Sequence, residues 1–335
     1  MSVHVTSRAP VRVDAAGGGT DCPPYSVDHG GAVVNFCVKH YARASLEVLP
    51  DTTRVEIVSR DFNCAIEADQ VLDLAIDGEL DLLKGIARRM RPEWGFRLTV
   101  SSDVPPGSGL GSSGAVSVAV VGLFDAAMQV TRSHTDTARL ANEIERIDLG
   151  YPGGDQDSYG PALGGFNLLT YPVGGGTQVK KLTLSSETLA ELESRALLVY
   201  TGEPHLSGSI HQDIKEGYAQ ADSPVVQAMH ELKRIGFACA EALEQGDLDR
   251  FGRLLDENWQ AHQRLHPSCN CEQLEKFYTA LSGHVSGGKT CGAGGGGCIL
   301  FLARPGETAW VQERAEALGG QVLPVKIDDE GLVIE

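Results

Sequence analysis

Apolar and polar residues alternate at several places in the first hundred positions, and a period of two predicts strands. Val11 and Val13 alternate with Arg12 and Asp14, Ala44 to Val48 alternates again, and Phe96, Leu98 and Val100 are spaced like one face of a half-buried strand. Ala32 to Val38 is a largely apolar run that reads as a further strand. Between the first two lies Ala15 to Asp28, whose Gly, Pro, Asp and Thr predict a loop. Leu80 to Met90 has helical spacing. The stretch Ser101 to Gly111 is broken by two prolines and three glycines, and it leads into a helix with Val116, Val120, Leu123 and Phe124 on one face. A further helix is predicted over 137–148, then a second loop from Gly150 to Gly160. A hairpin is expected over 164–181, turning at Gly174, Gly175 and Gly176.

The pattern changes after about residue 190. Ala196 to Tyr200 reads as a strand, and Pro224 to Leu265 is mostly helical, with Trp259, His262 and Leu265 on similar faces. Glu272 to Leu281 is a short helix. A glycine tract follows, then a strand over 298–303, a helix over 309–318 and a C-terminal hairpin turning at Asp328 to Gly331. This division predicts two domains, residues 1–190 and 191–335, and a length of 335 residues accommodates both.

Charge and composition narrow the function. With 28 basic and 45 acidic residues the formal net charge is −17, which disfavours a surface that tracks nucleic acid or anionic lipid. No apolar run is long enough to cross a bilayer, and Met1 to Asp14 lacks the apolar core of a secretory signal, so a soluble cytoplasmic protein is expected. Eight cysteines are too sparse for a disulfide scaffold. Cys269 and Cys271 lie beside His266, but further zinc ligands are not evident locally, and a plain surface loop is the expectation there.

Glycine is over-represented, with 40 residues placed unevenly. Pro105-Pro106-Gly107-Ser108-Gly109-Leu110-Gly111-Ser112-Ser113 stands between a predicted strand and a predicted helix. Glycines there let backbone N–H groups curl around an anion, and the helix start adds unpaired donors and the positive end of its dipole. Gly283 to Thr290 matches the consensus G-x-x-x-x-G-K-[ST] letter for letter. A predicted helix precedes it and a strand follows, the inverse of what that motif requires, so it does not predict a P-loop. In the loop Gly150 to Gly160, Asp155 and Asp157 can bind a cation or accept a proton from a hydroxyl, or they are plain turn residues. The N-terminal loop contributes Arg12, Asp14, Thr20, Asp21 and Asp28.

Taken in order, these loops resemble those of the GHMP small-molecule kinases, the family that includes galactokinase, homoserine kinase and mevalonate kinase. Ala9-Pro10-Val11-Arg12-Val13-Asp14 with Gly19-Thr20-Asp21 is similar to the first family motif, residues 105–113 fit the pattern P-x-x-x-G-L-G-S-S without a gap, and the glycines at 292 and 294–297 are similar to the C-terminal motif. Ala-Gly-Gly-Gly-Thr-Asp at 16–21 and Gly-Gly-Phe-Asn at 164–167 most resemble the heptose 7-phosphate kinase subgroup.

The resemblance implies a two-domain α+β fold that binds ATP and Mg²⁺ between its domains. It implies Asp157 as base or orienter of the accepting hydroxyl, with Arg12 as its partner near the transferred phosphoryl group. It implies a phosphate cradle formed by Pro106, Gly107, Ser108, Gly109, Leu110, Gly111, Ser112 and Ser113. Metal ligation falls to Glu145 with Ser112 or Ser113, and sugar binding to Gly19, Thr20, Asp21, Tyr159 and Gly294. A homodimer is compatible with it. The implied substrate is a small sugar or sugar phosphate, foremost D-glycero-D-manno-heptose 7-phosphate at its anomeric hydroxyl. Asp155 stands where the subgroup commonly has a basic residue, so a free monosaccharide or uronic acid is the alternative, and a silent sugar and nucleotide sensor is a third reading. If the sugar carries a phosphate, Lys39, His40 and Arg60 are the cations considered for it.

Overall fold

The structure is a computed structural model, and it describes residues 4–203, 207–218 and 223–335. Strand β1 (His4–Ala16) leads through a tight turn and helix α1 (Tyr25–His29) into its antiparallel partner β2 (Gly31–Leu49). The loop expected over Ala15 to Asp28 is therefore shorter, because Tyr25 and Ser26 turn inward and are buried, which folds 25–29 into a helix. The two strands expected at 32–38 and 44–48 are one. Lys39 and His40 interrupt the apolar pattern at a bulge, where the register passes from Pro10↔Tyr41 to Val11↔Val38 while the ladder continues.

Strands β3 (Val55–Ser59) and β4 (Cys64–Ala68) form a hairpin that the hydrophobic pattern does not announce, because β4 buries little. Helix α2 (Asp81–Met90), strand β5 (Gly95–Ser102) and helix α3 (Ser112–Ala127) stand where they are expected. Helix α4 (His134–Glu143) runs on into a π-helical turn, Ile144–Asp148, which carries Glu145. The loop expected over Gly150 to Gly160 ends early, since Gln156–Leu163 forms α5. Gly160 and Pro161 are poor helix formers and hide that helix from the sequence. Strands β6 (Phe166–Tyr171) and β7 (Gln178–Leu182) make the expected hairpin. The first sheet has the order β1-β2-β5-β3-β4, with β6 and β7 attached to the opening half of β2.

Helix α6 (Ser186–Arg195) carries the chain to the second sheet, where β8 (Ala196–Tyr200) is followed by α7 (Ser207–Tyr218). The helical stretch expected over 224–265 is two helices, α8 (Pro224–Gln245) and α9 (Leu248–Gln263). Gly246, at φ 73°, ends the first, and Asp247 caps the second by accepting from the Arg250 amide at 2.9 Å. Helix α10 (Glu272–Leu281), strands β9 (Val285–Thr290) and β10 (Cys298–Ala303), helix α11 (Thr308–Ala317) and strand β11 (Gln321–Leu323) complete this half, with sheet order β11-β8-β10-β9. The expected C-terminal hairpin does not form. The turn after Asp328 is held by its carboxylate, but it leads from β11 in the second sheet to β12 (Val333–Ile334), which pairs with β1 in the first.

The main core lies between the sheets, where Val11, Val13, Val34 and Phe36 meet Ala228, Leu232 and Ile235 of α8. Further clusters fill the opposite face of the first sheet, around α3, and the outer face of the second. Cys269 belongs to the main core and is fully buried, not part of a surface loop as expected. Among the described residues no trio of His, Cys, Asp or Glu is placed to hold a metal.

The segment that matches a nucleotide-binding consensus by letter is largely β9. Its Lys289 is fully buried, donates to the Asp14 carbonyl at 2.9 Å and pairs with the Asp14 carboxylate at 2.9 Å. It ties the second sheet to β1 and does not face a phosphate. Replacing it strands a buried anion, so Lys289→Met is expected to cost roughly 3–5 kcal/mol in denaturant unfolding, and adding Asp14→Asn should recover much of that. A Lys289→Met protein of unchanged stability that fails to bind ATP would contradict this assignment.

Candidate active site

A cavity of about 820 Å³ opens between the two halves of the molecule. Three of the sequence-predicted loops meet at it, and each is held by the others.

The loop after β5 forms the cradle. Gly111 adopts φ 68° at the N-cap of α3, so no side chain caps that helix and its first N–H groups face the cavity together with Ser112 and Ser113. Pro106, Gly107, Gly109 and Gly111 line the same wall. Ser108 and Leu110 do not. Both side chains are buried behind the loop, and their carbonyls accept from the Cys298 and Arg12 amides at 2.8 and 3.0 Å. The C-terminal glycine tract explains itself here. It presses against the back of the cradle, and a Cβ on Gly297 would lie 2.7 Å from the Ser108 carbonyl oxygen. Gly292 and Ala293 reach the cavity, but Gly294 does not: it packs on the Cys269 carbonyl, which removes it from the expected sugar contacts.

Arg12 joins the three loops. Its buried guanidinium donates through Nη1 to the Gly109 carbonyl at 2.6 Å, and through Nε and Nη2 to Oδ1 of Asp157 at 2.9 and 2.6 Å. Burial opposes the charge, but the fields of Asp157 and Asp14 outweigh it and raise the guanidinium above its ordinary pKa. Both bonds to Asp157 use one oxygen, which leaves Oδ2 without a donor among the described residues, at the cavity wall. Asp157 stands in the first turn of α5, where the helix dipole favours a carboxylate. That turn lies directly on the start of α3. A Cβ on Gly114 would fall 2.0 Å from the Asp157 carbonyl oxygen, so only glycine permits the approach.

Two other carboxylates share the space. Glu145, the carboxylate implied for the metal, lines the cavity and accepts a hydrogen bond from the Ser113 hydroxyl. Burial, then the nearby Asp157 charge, push its pKa up to about 7. Asp21 is also pushed up to about 7, first by burial and then by Asp157 and Asp155. Its oxygens accept from the amides of Gly19 and Gln156 at 3.1 and 3.3 Å, and it fills the space where Gly154 would otherwise carry a Cβ.

Two expected sugar contacts are structural. Thr20 is buried and donates to the Gly17 carbonyl at 2.7 Å, away from the cavity. Tyr159 is packed in the first-sheet core, with its hydroxyl toward Thr177 and Arg139. Lys39, His40 and Arg60 do not line the cavity either. The Lys39 amide and the His40 ring are engaged with the C-terminal segment, and Arg60 points to solvent. The cations that do line it besides Arg12 are Arg146 and Lys215, and His262 also borders it, with Nε2 2.9 Å from the Ala293 carbonyl. Sequence reasoning missed them because single basic residues on helices read as solvated. The position of Arg146, next to the singled-out Glu145, was the available signal.

Comparison with known proteins agrees with this architecture. The GHMP kinases N terminal domain matches residues 81–165 and the GHMP kinases C terminal domain residues 239–319. A D-glycero-alpha-D-manno-heptose 7-phosphate kinase of Campylobacter jejuni is 31% identical over 307 residues, 90% of each chain. A bifunctional fucokinase/GDP-fucose pyrophosphorylase of Arabidopsis thaliana is 29% identical over 90% of this chain, which spans 30% of that larger protein. Among solved structures, a D-glycero-D-manno-heptose 1-phosphate kinase from Bacteroides thetaiotaomicron superposes with a TM-score of 0.83 at 32% identity, covering 99% of this chain and 98% of the other. From its fold, its cavity and these matches over nearly its whole length, the chain belongs to the GHMP kinase family.

Proposed function

We propose that this enzyme transfers the γ-phosphoryl group of ATP to the anomeric hydroxyl of a heptose phosphate, with D-glycero-D-manno-heptose 7-phosphate as the first candidate. The observation that carries the reading is the free Oδ2 of Asp157, set between the Arg12 guanidinium and the uncapped start of α3. Similarity to the Campylobacter enzyme supports the choice of sugar. The reading places the protein in the cytoplasm and divides it near residue 190, where the chain leaves the first sheet for the second.

The chemistry follows from what each group can do. Asp157 Oδ2 accepts a hydrogen bond from the attacking hydroxyl and takes its proton as the new O–P bond forms and the bond to the departing ADP oxygen breaks. Arg12 and the α3 N–H groups stabilise the charge that develops on the moving phosphoryl group. Asp21 accepts hydrogen bonds from sugar hydroxyls and fixes the reacting one in line.

Mg²⁺ is implied by the family, and the donors fit it. Glu145 is a cavity carboxylate whose charge is penalised by burial and makes no ion pair among the described residues, the Ser113 hydroxyl lies against it, and Mg²⁺ takes few protein ligands beside phosphates and water. When bound, it would neutralise phosphate charge. Of the two serines expected at the metal, Ser113 is the one bonded to Glu145.

A second reading, a kinase of an unphosphorylated sugar, draws support from the fucokinase similarity over 90% of the chain. A coupled ADP-release assay over heptose 7-phosphates, free heptoses, hexoses and uronic acids separates the two. Turnover confined to a heptose 7-phosphate is expected, and turnover confined to free sugars would overturn the proposal.

Two variants test the roles. Asp157→Asn, which keeps an acceptor oxygen for the buried Arg12, should remain folded with a lowered melting temperature and lose roughly 10²–10⁴-fold in kcat; near-normal turnover would remove Asp157 from the chemistry. Glu145 is raised in the folded protein, so its contribution to stability is full at low pH and is lost as pH rises through about 7. Glu145→Gln should therefore melt higher than the unliganded wild type at about pH 8, match it at about pH 4, and lose most Mg²⁺-dependent activity. Equal melting curves at both pH values would contradict the buried position of that carboxylate.

A further inference from the structure

We propose that Arg146, positioned by Asp155 and assisted by Lys215 of α7, receives the phosphate that the acceptor sugar already carries; this rests on the sugar-phosphate reading above.

The cavity wall is heavily acidic. Asp14, Asp21, Glu145 and Asp157 all line it. Asp14 and Asp157 have their own cations, Lys289 and Arg12; Lys289 does not line the cavity, and Arg12 is committed to Asp157 and the transferred phosphoryl group. A doubly charged sugar phosphate entering this space needs positive charge of its own, and Arg146 and Lys215 are the remaining lining residues with permanent cations.

Asp155, the residue that from sequence appeared to exclude a phosphate, does not line the cavity. It accepts from Arg146 Nη1 at 2.8 Å through one oxygen and from the Thr177 hydroxyl through the other, so its charge is spent on aiming Arg146. A guanidinium carries five N–H donors in a planar fork, and this is the one side-chain hydrogen bond of Arg146 among the described residues. The group is largely enclosed, at 19% exposure, and it borders the cavity with donors to spare. Its field reaches both Cys22, next to Asp21, and Glu145, so it stands between the Asp21 side of the cavity and the carboxylate implied for the metal.

Lys215 comes from the other half of the molecule. It is exposed, and Tyr218 on the same helix face donates from its hydroxyl to Asp28 Oδ2 at 2.7 Å and packs edge-on against Tyr25. That contact fastens the end of α7 over the cavity entrance, where Lys215 and Ile214 face inward. A phosphate monoester fits this pair: the arginine supplies a fork for its oxygens and the lysine a point charge.

The test compares kcat and KM for D-glycero-D-manno-heptose 7-phosphate and for the free heptose at saturating ATP, with melting temperatures recorded. Arg146→Gln should raise KM for the phosphorylated sugar roughly 10- to 100-fold, with little change in kcat, in KM for ATP or in kinetics on the free sugar. Arg146→Lys should recover part of that loss. Asp155→Asn should move the same KM in the same direction by less, as expected of a positioning residue. Lys215→Gln, an exposed change that spares the fold, should raise KM several-fold. An unchanged preference for the phosphorylated sugar in both Arg146→Gln and Lys215→Gln would overturn this inference and leave the kinase reading standing. A wild type that turns over only unphosphorylated sugars would overturn both.

Discussion

The placement of the Arg12 guanidinium organises the site. A permanent cation that is nearly inaccessible to water must be surrounded by acceptors, and the chain supplies them from two distant segments, the Gly109 carbonyl and the Asp157 carboxylate. Satisfying that one side chain therefore fixes the cradle, the start of α5 and β1 relative to one another. The close contact at Gly114 and the press of the glycine tract on the cradle follow from the same arrangement, since the loops can meet at Arg12 only where their backbones nearly touch. Lys289 performs the same service one layer deeper by pinning the second sheet to Asp14.

The electrostatics of the cleft complement a transfer of phosphate. An acidic protein, at a net charge of −17, gathers several carboxylates around a cavity that must accept a more acidic substrate. It manages this by pairing Asp157 and Asp14 with internal cations and by holding Asp21 and Glu145 where desolvation pushes the pKa of each up to about 7. The unliganded site is thus under electrostatic strain that a cation and a well-placed hydrogen-bond donor relieve. Binding energy used in that way goes into aligning the reactants, which is most of what phosphoryl transfer asks of a protein.

Much of this was legible in the sequence, and the failures have physical causes. The strand-loop-helix around 105–113 showed itself because proline, glycine and serine interrupt two strongly periodic segments. Asp157, Arg12, Asp21 and Glu145 converge as expected, whereas Thr20, Tyr159 and Gly294, equally prominent in the motifs, serve packing and backbone contacts. A motif constrains the shape of a loop as well as its chemistry, and sequence alone does not separate the two. The helix that carries Asp157 was hidden by Gly160 and Pro161, and β2 was split in two by a polar bulge that the ladder simply crosses. The C-terminal strand was expected in a hairpin, and its actual partner was missed because β1 lies more than three hundred residues away. Asp155 was read alone and Arg146 was not singled out, and only their pairing reverses the meaning of the carboxylate.

The central claim concerns which oxygen receives the phosphoryl group and what the sugar already carries. Phosphorus NMR of the reaction with ATP, Mg²⁺ and D-glycero-D-manno-heptose 7-phosphate addresses both at once. The account predicts a sugar with two phosphorus resonances, one unchanged and one newly coupled to the anomeric proton. A product phosphorylated elsewhere on the ring, or release of inorganic phosphate with the sugar unaltered, would contradict it.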